Sequence, residues 1–555
     1  MLADRTMPRR TPLDLPLLLF LGTALMGVWV AYDRNAAQSK LWMLVGATLL
    51  FYALAWQPRS TLWPITTILA LSGAMVAVAF LLTHDWQAFP PKFAIVQRLA
   101  LAWSAIRPSI VIEGMHPNIG GGLMALLIPF QWARIRRASL TDDDIQLAIF
   151  AAALVLTLFG LFLSSSRGAM LALATAMTAW VLWREALKHR GFLIGHGRIL
   201  LAAIALLSGA ALLLLASGKV WRFVALIDRL PGPASAMGRA RIDSYTLDLI
   251  ADFPFTGGGL ASFPGLYSRY ILGIPQFFLP NGHNILLDVT LEQGSLGLLA
   301  LLVVIAASFW FLLRYDPPQA SQGAANTDLI TGAALASFIA LLLHGMVEDT
   351  VYGSAALPLL FIVPGLAVAL DRANGEPGMS TSRWYRGSAL FFGLSVLALA
   401  AFIALPRGRA LWWANLGAVS MARAELADFP TGRWVEPRSD DALSNAENRF
   451  QKSLEHQARQ RTAHYRLGML AMQRGDFPSA VAHLETAYAQ DPSHIGIRKA
   501  LGYSYAWSGN VERGSRLLAT VPFVSQELDA YVGWWRQHGR NDLAEIARQM
   551  RVHLQ

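Results

Sequence analysis

Eleven apolar runs divide residues 15–405, and no single soluble core can absorb them. They fall at 15–31, 41–56, 63–82, 118–132, 145–163, 169–183, 199–216, 291–313, 329–346, 355–370 and 390–405. A bilayer core takes about 20 apolar residues as a helix, which satisfies every backbone N–H and C=O within the segment. The runs at 118–132 and 355–370 are short, so twelve is the alternative count. Only 15% of the chain is charged, against about 25% in a typical soluble protein. Charges in the first 405 residues come in short clusters between the runs, whereas 407–555 has an ordinary soluble composition. The expected fold class is all-α: a polytopic membrane helix bundle over 1–406, then a soluble helical domain over 407–555. Run 15–31 is read as a first span, because no small-residue cleavage site follows it.

Basic residues mark an alternating pattern. They stand at Arg5, Arg9 and Arg10, at Arg59, at Arg134, Arg136 and Arg137, at Arg184, Lys188, Arg190 and Arg198, at Arg314, and at Arg372, Arg383 and Arg386. Every second loop is therefore cytoplasmic, with the N-terminus inside. Eleven spans then put the long loop 217–282 and the domain 407–555 outside together. Loop 83–117 runs against the pattern with Lys92, Arg98 and Arg107, and its segment 93–106 has the alternation of an interfacial helix. Orientation and lipid headgroups account for much of the net charge of +10. No nucleic-acid partner is expected, since no binding motif is present. With no cysteine in the chain, disulfides and thiolate metal sites are excluded.

Residues 463–492 read AHYRLGMLAMQRGDFPSAVAHLETAYAQDP. Leu467, Gly468, Ala471, Ala480, Leu484, Ala487 and Pro492 have the spacing of a tetratricopeptide helix pair. A shift of 34 residues recovers Leu501, Gly502, Tyr505, Gly509 and Leu518, and the reverse shift recovers Ala446 and Phe450. Stacked helix pairs sharing one core are predicted. Structural support is the first role for such a tail, and a protein partner on its concave face is the second.

Ionisable groups beside spans are rare and usually functional. The turn Ser164, Ser165, Ser166, Arg167 offers hydroxyls, backbone N–H groups and a guanidinium to one anion, or is a polar turn whose Arg reaches headgroups. In the long loop, Arg239 and Arg241 open an amphipathic helix that ends at Pro254 and a glycine run, 257–259. That run either brings a ligand close to the backbone or forms a turn. His283 leads into the eighth span, as a cap or as a general base. Glu292 is expected to be buried and paired. His344, Glu348 and Asp349 close the ninth span, where pairing is preferred over a divalent cation.

Taken in order, four segments resemble the bacterial O-antigen ligase and O-antigen polymerase superfamily, which includes protein O-oligosaccharyltransferases. They are His116-Pro-Asn-Ile, Ser165-Ser-Arg-Gly, Arg241 followed by Asp252-Phe-Pro-Phe-Thr-Gly-Gly-Gly, and Gly282-His-Asn-Ile-Leu with Glu292-Gln-Gly-Ser-Leu-Gly. The likeness is close over 116–313 and loose over the rest of the membrane part. It departs from the family pattern in Tyr245, where a Trp is frequent, and in an extra Gly. The resemblance implies a bacterial inner-membrane enzyme that takes a glycan from undecaprenyl diphosphate on the outer leaflet. The acceptor hydroxyl would belong to a glycan, to lipid A core or to a protein side chain, with no nucleotide-sugar cofactor and no metal. It further implies that Arg167 and Arg241 clamp the diphosphate and that His283 handles the acceptor proton. Ser165, Ser166, Arg239, Asn284 and Asn118 would contact substrate. The rivals are a lipid-linked glycan transporter and a scaffold. A transporter needs polar groups along mid-span or broken repeated halves, and a scaffold gives no reason for Arg167, Arg241 and His283 to share one side.

Overall fold

A computed structural model describes residues 10–91, 94–108, 114–188, 233–274, 276–314, 322–374, 379–431 and 440–554. The regular structure of these residues is helical throughout. The seventh apolar run, 199–216, and residues 217–232 of the long loop lie outside the described residues, as do Arg5, Arg9, Lys92, Arg190 and Arg198. Each of the other ten runs lies on helix. Five of these helices are long and apolar enough to cross a bilayer alone: Arg34–Ala55, Arg59–Thr83, Asp144–Ser164, Ile285–Leu313 and Thr327–Gly345. A sixth candidate is the pair Ala389–Ala404 and Pro406–Thr431, bent by 94° at its break. Runs 15–31, 118–132, 169–183 and 355–370 lie on helices that fall short of that standard in length or apolarity. Large apolar side chains point outward from the bundle, with Leu49, Met75, Val155 and Leu171 all more than 60% exposed. Such a surface is costly in water and matches a lipid environment. The segment expected at the interface is helical over Ala94–Ile106 and exposes Ile95, Leu99 and Ile106.

Caps set the helix starts that matter for the site. Asn284 Oδ1 accepts from the N–H groups of Leu286 and Leu287 and so opens the helix Ile285–Leu313. His116 Nδ1 caps the helix Pro117–Leu140, with Pro at its first position.

The glycine run of the long loop forms a turn packed backbone-to-backbone on a break in the helix Ile285–Leu313. Gly258 N–H donates to Leu291 O at 2.6 Å, and Ser295 N–H to Pro254 O at 3.0 Å. At the break Gly294 has φ +72°, and a Cβ there would sit 2.3 Å from Phe255 O. Gly294→Ala therefore meets both a left-handed dihedral and a backbone clash, each costing about 1–3 kcal/mol. A lowered thermal midpoint of the detergent-solubilised chain is the expected result. Glu292 is buried beside this turn and paired with Lys40 at 2.7 Å, as its sequence context suggests.

Among the described residues, 406–554 form four helix pairs: Pro406–Glu425 with Asp440–His456, Arg461–Gln473 with Phe477–Gln490, Ile495–Trp507 with Val511–Leu518, and Val524–Gln537 with Asn541–Leu554. Small residues permit the close approach within pairs. Leu484 packs on Gly468 and, 34 residues on, Leu518 packs on Gly502. Phe450, 34 residues before Leu484, packs on Gly417.

The repeat domain grips the long loop. Buried Asp252 takes Arg466 at 2.7 Å, Arg461 at 2.9 Å and the Thr462 hydroxyl at 2.9 Å. Asn415 Oδ1 accepts from Phe255 N–H at 3.0 Å, while its Nδ2 donates to Thr256 Oγ1 at 2.7 Å. Arg269 forms a two-point pair with Glu425 at 3.1 and 3.2 Å.

Candidate active site

Glu348, three residues past the span Thr327–Gly345, gathers side chains from three other parts of the chain. Its Oε1 lies 2.7 Å from His283 Nδ1. Its Oε2 accepts from Asn118 Nδ2 at 2.6 Å and from Arg239 Nη2 at 3.2 Å. Glu348 is 4% exposed. Burial pushes its carboxyl up, but the hydrogen bond and charge of His283, the charge of Arg239 and the Asn118 donor outweigh burial and hold it at about 2. A carboxylate only accepts hydrogen bonds, so Nδ1 of His283 carries the proton and Nε2 becomes the basic nitrogen of the neutral ring.

The backbone that presents His283 is strained. Its φ is +57°, a left-handed conformation that a non-glycine residue adopts at a cost. Asn281 Oδ1 accepts the His283 N–H at 3.1 Å, and Asp288 Oδ1 accepts the Gly282 N–H at 2.8 Å, so the turn is braced from both sides. The cap is therefore Asn284, and His283 precedes the helix. Asp243, one turn after Arg239 on the helix Pro233–Ile250, lies beside Asn284, His283 and Arg239. Burial raises its carboxyl to about 7, against the opposing pull of Asn284, His283 and Arg239.

The serine turn joins from another side. Ser165 adopts the left-handed conformation that ends the helix Asp144–Ser164 and aims Ser166 back into the protein. Ser166 Oγ is 3.5 Å from His344 Nε2, and His344 Nδ1 is 2.8 Å from Thr350 Oγ1. Ser165 Oγ is buried without a hydrogen-bond partner among the described residues. Arg167 starts the next helix, Arg167–Lys188, and is exposed. The following residue, Gly168, packs on Val347 and His344, next to Glu348.

Most of the sequence candidates thus meet in one region. His283, Arg239 and Asn118 share Glu348, Asn284 follows His283 directly and lies beside Asp243, and the serine turn reaches the segment 344–350 through Ser166 and through Gly168, the neighbour of Arg167. Arg241 lies elsewhere. Its guanidinium stands 4.6 Å from the Phe523 ring of the repeat domain. Residues two apart on a helix face away from each other, so only Arg239 can turn toward His283 while Arg241 faces the repeats. Glu348 is the meeting point of these side chains that sequence reasoning missed as a centre. Its place beside His344 at a span end was the available signal, but its partners are distant in sequence. Among the described residues no group of three or more His, Asp or Glu side chains is arranged to hold a metal ion.

Comparison with known families gives two matches. Residues 152–302 match the O-antigen ligase family, and residues 471–532 match the tetratricopeptide repeat. No curated protein and no solved structure matches the chain. The first match spans the serine turn, Arg239, Arg241, His283 and Asn284, while Asn118 and Glu348 fall outside it.

Proposed function

From a chain that carries an O-antigen ligase domain with tetratricopeptide repeats behind it, we propose a membrane glycosyltransferase that moves a glycan from undecaprenyl diphosphate to a hydroxyl of an acceptor glycan. The observation that carries this reading is the His283–Glu348 pair at 2.7 Å. It leaves the imidazole with one basic nitrogen, beside two arginines and a serine turn. The acceptor O–H gives its proton to His283 Nε2 as its oxygen forms a bond to the anomeric carbon. The bond from that carbon to the diphosphate breaks, and undecaprenyl diphosphate leaves with the electron pair. Glu348 stabilises the imidazolium that results, as the carboxylate of a Ser-His-Asp triad does.

Arg167 and Arg239 supply positive charge to the departing diphosphate, where charge grows in the transition state. The Arg239 side chain is 30% exposed and its guanidinium meets Glu348 at 3.2 Å, so it can share a phosphate oxygen without leaving the carboxylate. Arg241 has the role of holding the repeat domain through Phe523. The lipid tail lies between spans, and the catalytic end of the bundle, with the repeats, faces the periplasm of a bacterial inner membrane.

The test is transfer from an undecaprenyl-diphosphate glycan in vesicles, with lipid A core, a second lipid-linked glycan and a serine-rich peptide as alternative acceptors. Arg167→Ala and Arg239→Ala each reduce transfer by about 10- to 100-fold, and Arg241→Ala by less than about 3-fold. Wild-type rates in both of the first two variants would remove the clamp, and transfer to the peptide alone would replace the glycan acceptor.

A further inference from the structure

A cavity of about 410 Å³ lies between the inner wall of the repeats and the loop strip 271–274. The strip is bonded to the repeats along its backbone. Lys499 Nζ donates to Ile271 O, and Gly273 N–H donates to Tyr531 Oη at 3.2 Å. The other walls are aromatic. Tyr503 stacks on Trp507 with centroids 5.4 Å apart, Trp507 meets Trp535 edge-on at 5.3 Å, and Trp534 lines the cavity beside them. Two of these rings carry an unanswered donor. Trp507 is 7% exposed and Trp535 Nε1 is buried, yet neither indole N–H has an acceptor among the described residues. At the rim stands the Arg269–Glu425 pair, with Gln473 donating to Glu425.

We propose that this cavity is a glycan-binding subsite, separate from the His283 centre, that holds one to a few sugar residues against the repeat aromatics. A pyranose presents a face of C–H groups that packs on an aromatic ring, and hydroxyls that bond guanidinium and carboxylate groups. The cavity has both kinds of wall and falls within the ~300–1,000 Å³ range of small-molecule sites. A polypeptide occupant is disfavoured for a specific reason. An extended peptide needs backbone partners along the repeats, and Lys499 and Tyr531 are already engaged by the chain's own strip. Ile274 precedes His283 by nine residues, at most about 30 Å of extended chain. The identity of the glycan rests on the proposed function, whereas binding does not.

The experiment uses the full chain in detergent and, as probe, the surface glycan of its own cells released by mild acid, followed by saturation-transfer NMR and titration calorimetry. Wild type binds with Kd tighter than about 1 mM. Trp507→Phe with Trp535→Phe replaces each indole by a smaller ring, cuts back the aromatic wall and weakens binding by at least about tenfold. Trp534→Ala, which removes only a half-buried wall, weakens it independently and carries the test if the double variant is unfolded. His283→Ala binds as wild type does. Absence of wild-type binding, or equal binding by the tryptophan variants, overturns the subsite. Binding lost in His283→Ala and kept in the tryptophan variants moves the glycan to the transfer centre and overturns it equally. Binding that follows the tryptophans in a chain with no transferase activity would keep the subsite and discard the proposed reaction.

Discussion

Replacing His283 with alanine is expected to lower glycan transfer on the order of 10³-fold at equal protein level, and Glu348→Gln nearly as much. The first removes the proton acceptor. The second keeps the shape of the side chain but loses three things together: the charge that stabilises the imidazolium, the fixed tautomer, and the partner of Arg239 and Asn118. A glutamine can present its NH₂ to His283 Nδ1, which turns the ring's proton to Nε2 and removes the base. The two groups act as one unit, so the double variant should be scarcely worse than His283→Ala, with the loss mainly in kcat rather than KM. Initial rates in vesicles over a range of acceptor concentration read this directly. Multiplicative losses would mean that Glu348 acts on substrate by a separate route, and a wild-type rate in either single variant would end the assignment.

The second large effect concerns stability. Asp252→Asn leaves buried Arg466 without its carboxylate, and leaves Arg461 with Asp491 alone at 3.9 Å. Breaking a buried pair from one side costs about 3–5 kcal/mol, because the remaining charge is neither paired nor hydrated. The expected outcome is release of the repeat domain from the loop, seen as faster proteolysis or hydrogen exchange over 461–473, together with loss of transfer as the loop that bears Arg239 loosens. Replacing Asp252 by Leu and both arginines by Met should recover much of the stability. If the apolar triple variant is as labile as Asp252→Asn, the ion pairs have a value of their own beyond avoiding an unpaired charge. Burial raises the Asp252 carboxyl, but Arg466 and Arg461 outweigh it and hold it below the usual range. Its contribution is therefore complete above the unfolded carboxylate pKa and fades as pH falls through the folded one.

The repeat domain was legible in detail, since Gly468, Leu484, Gly502 and Leu518 follow from a 34-residue period that the packing needs. The helices of the bundle were equally legible from apolar runs. Their number as spans was not, because Pro117–Leu140 and Arg167–Lys188 mix polar residues into length sufficient to cross. Within the site, His283 and the serine turn stood out by local pattern. The choice between Arg239 and Arg241 did not, as spacing along a loop says nothing about which face of a helix meets Glu348. Asp252 lay in a motif read for its glycines, and its partners come 209 and 214 residues later. The glycine run was ambiguous between ligand and turn until the backbone of Glu292–Gly294 appeared against it.

That distance has a consequence in time. Ribosomes add about 5–20 residues per second, so roughly 10 to 40 seconds separate synthesis of Asp252 from synthesis of Arg466, 214 residues on. Throughout that interval the loop bearing Arg239 has no repeat domain to hold it. The proposed centre is thus braced only after the repeats have been made, and a product that stops short of Arg466 is expected to leave the loop bearing Arg239 unheld.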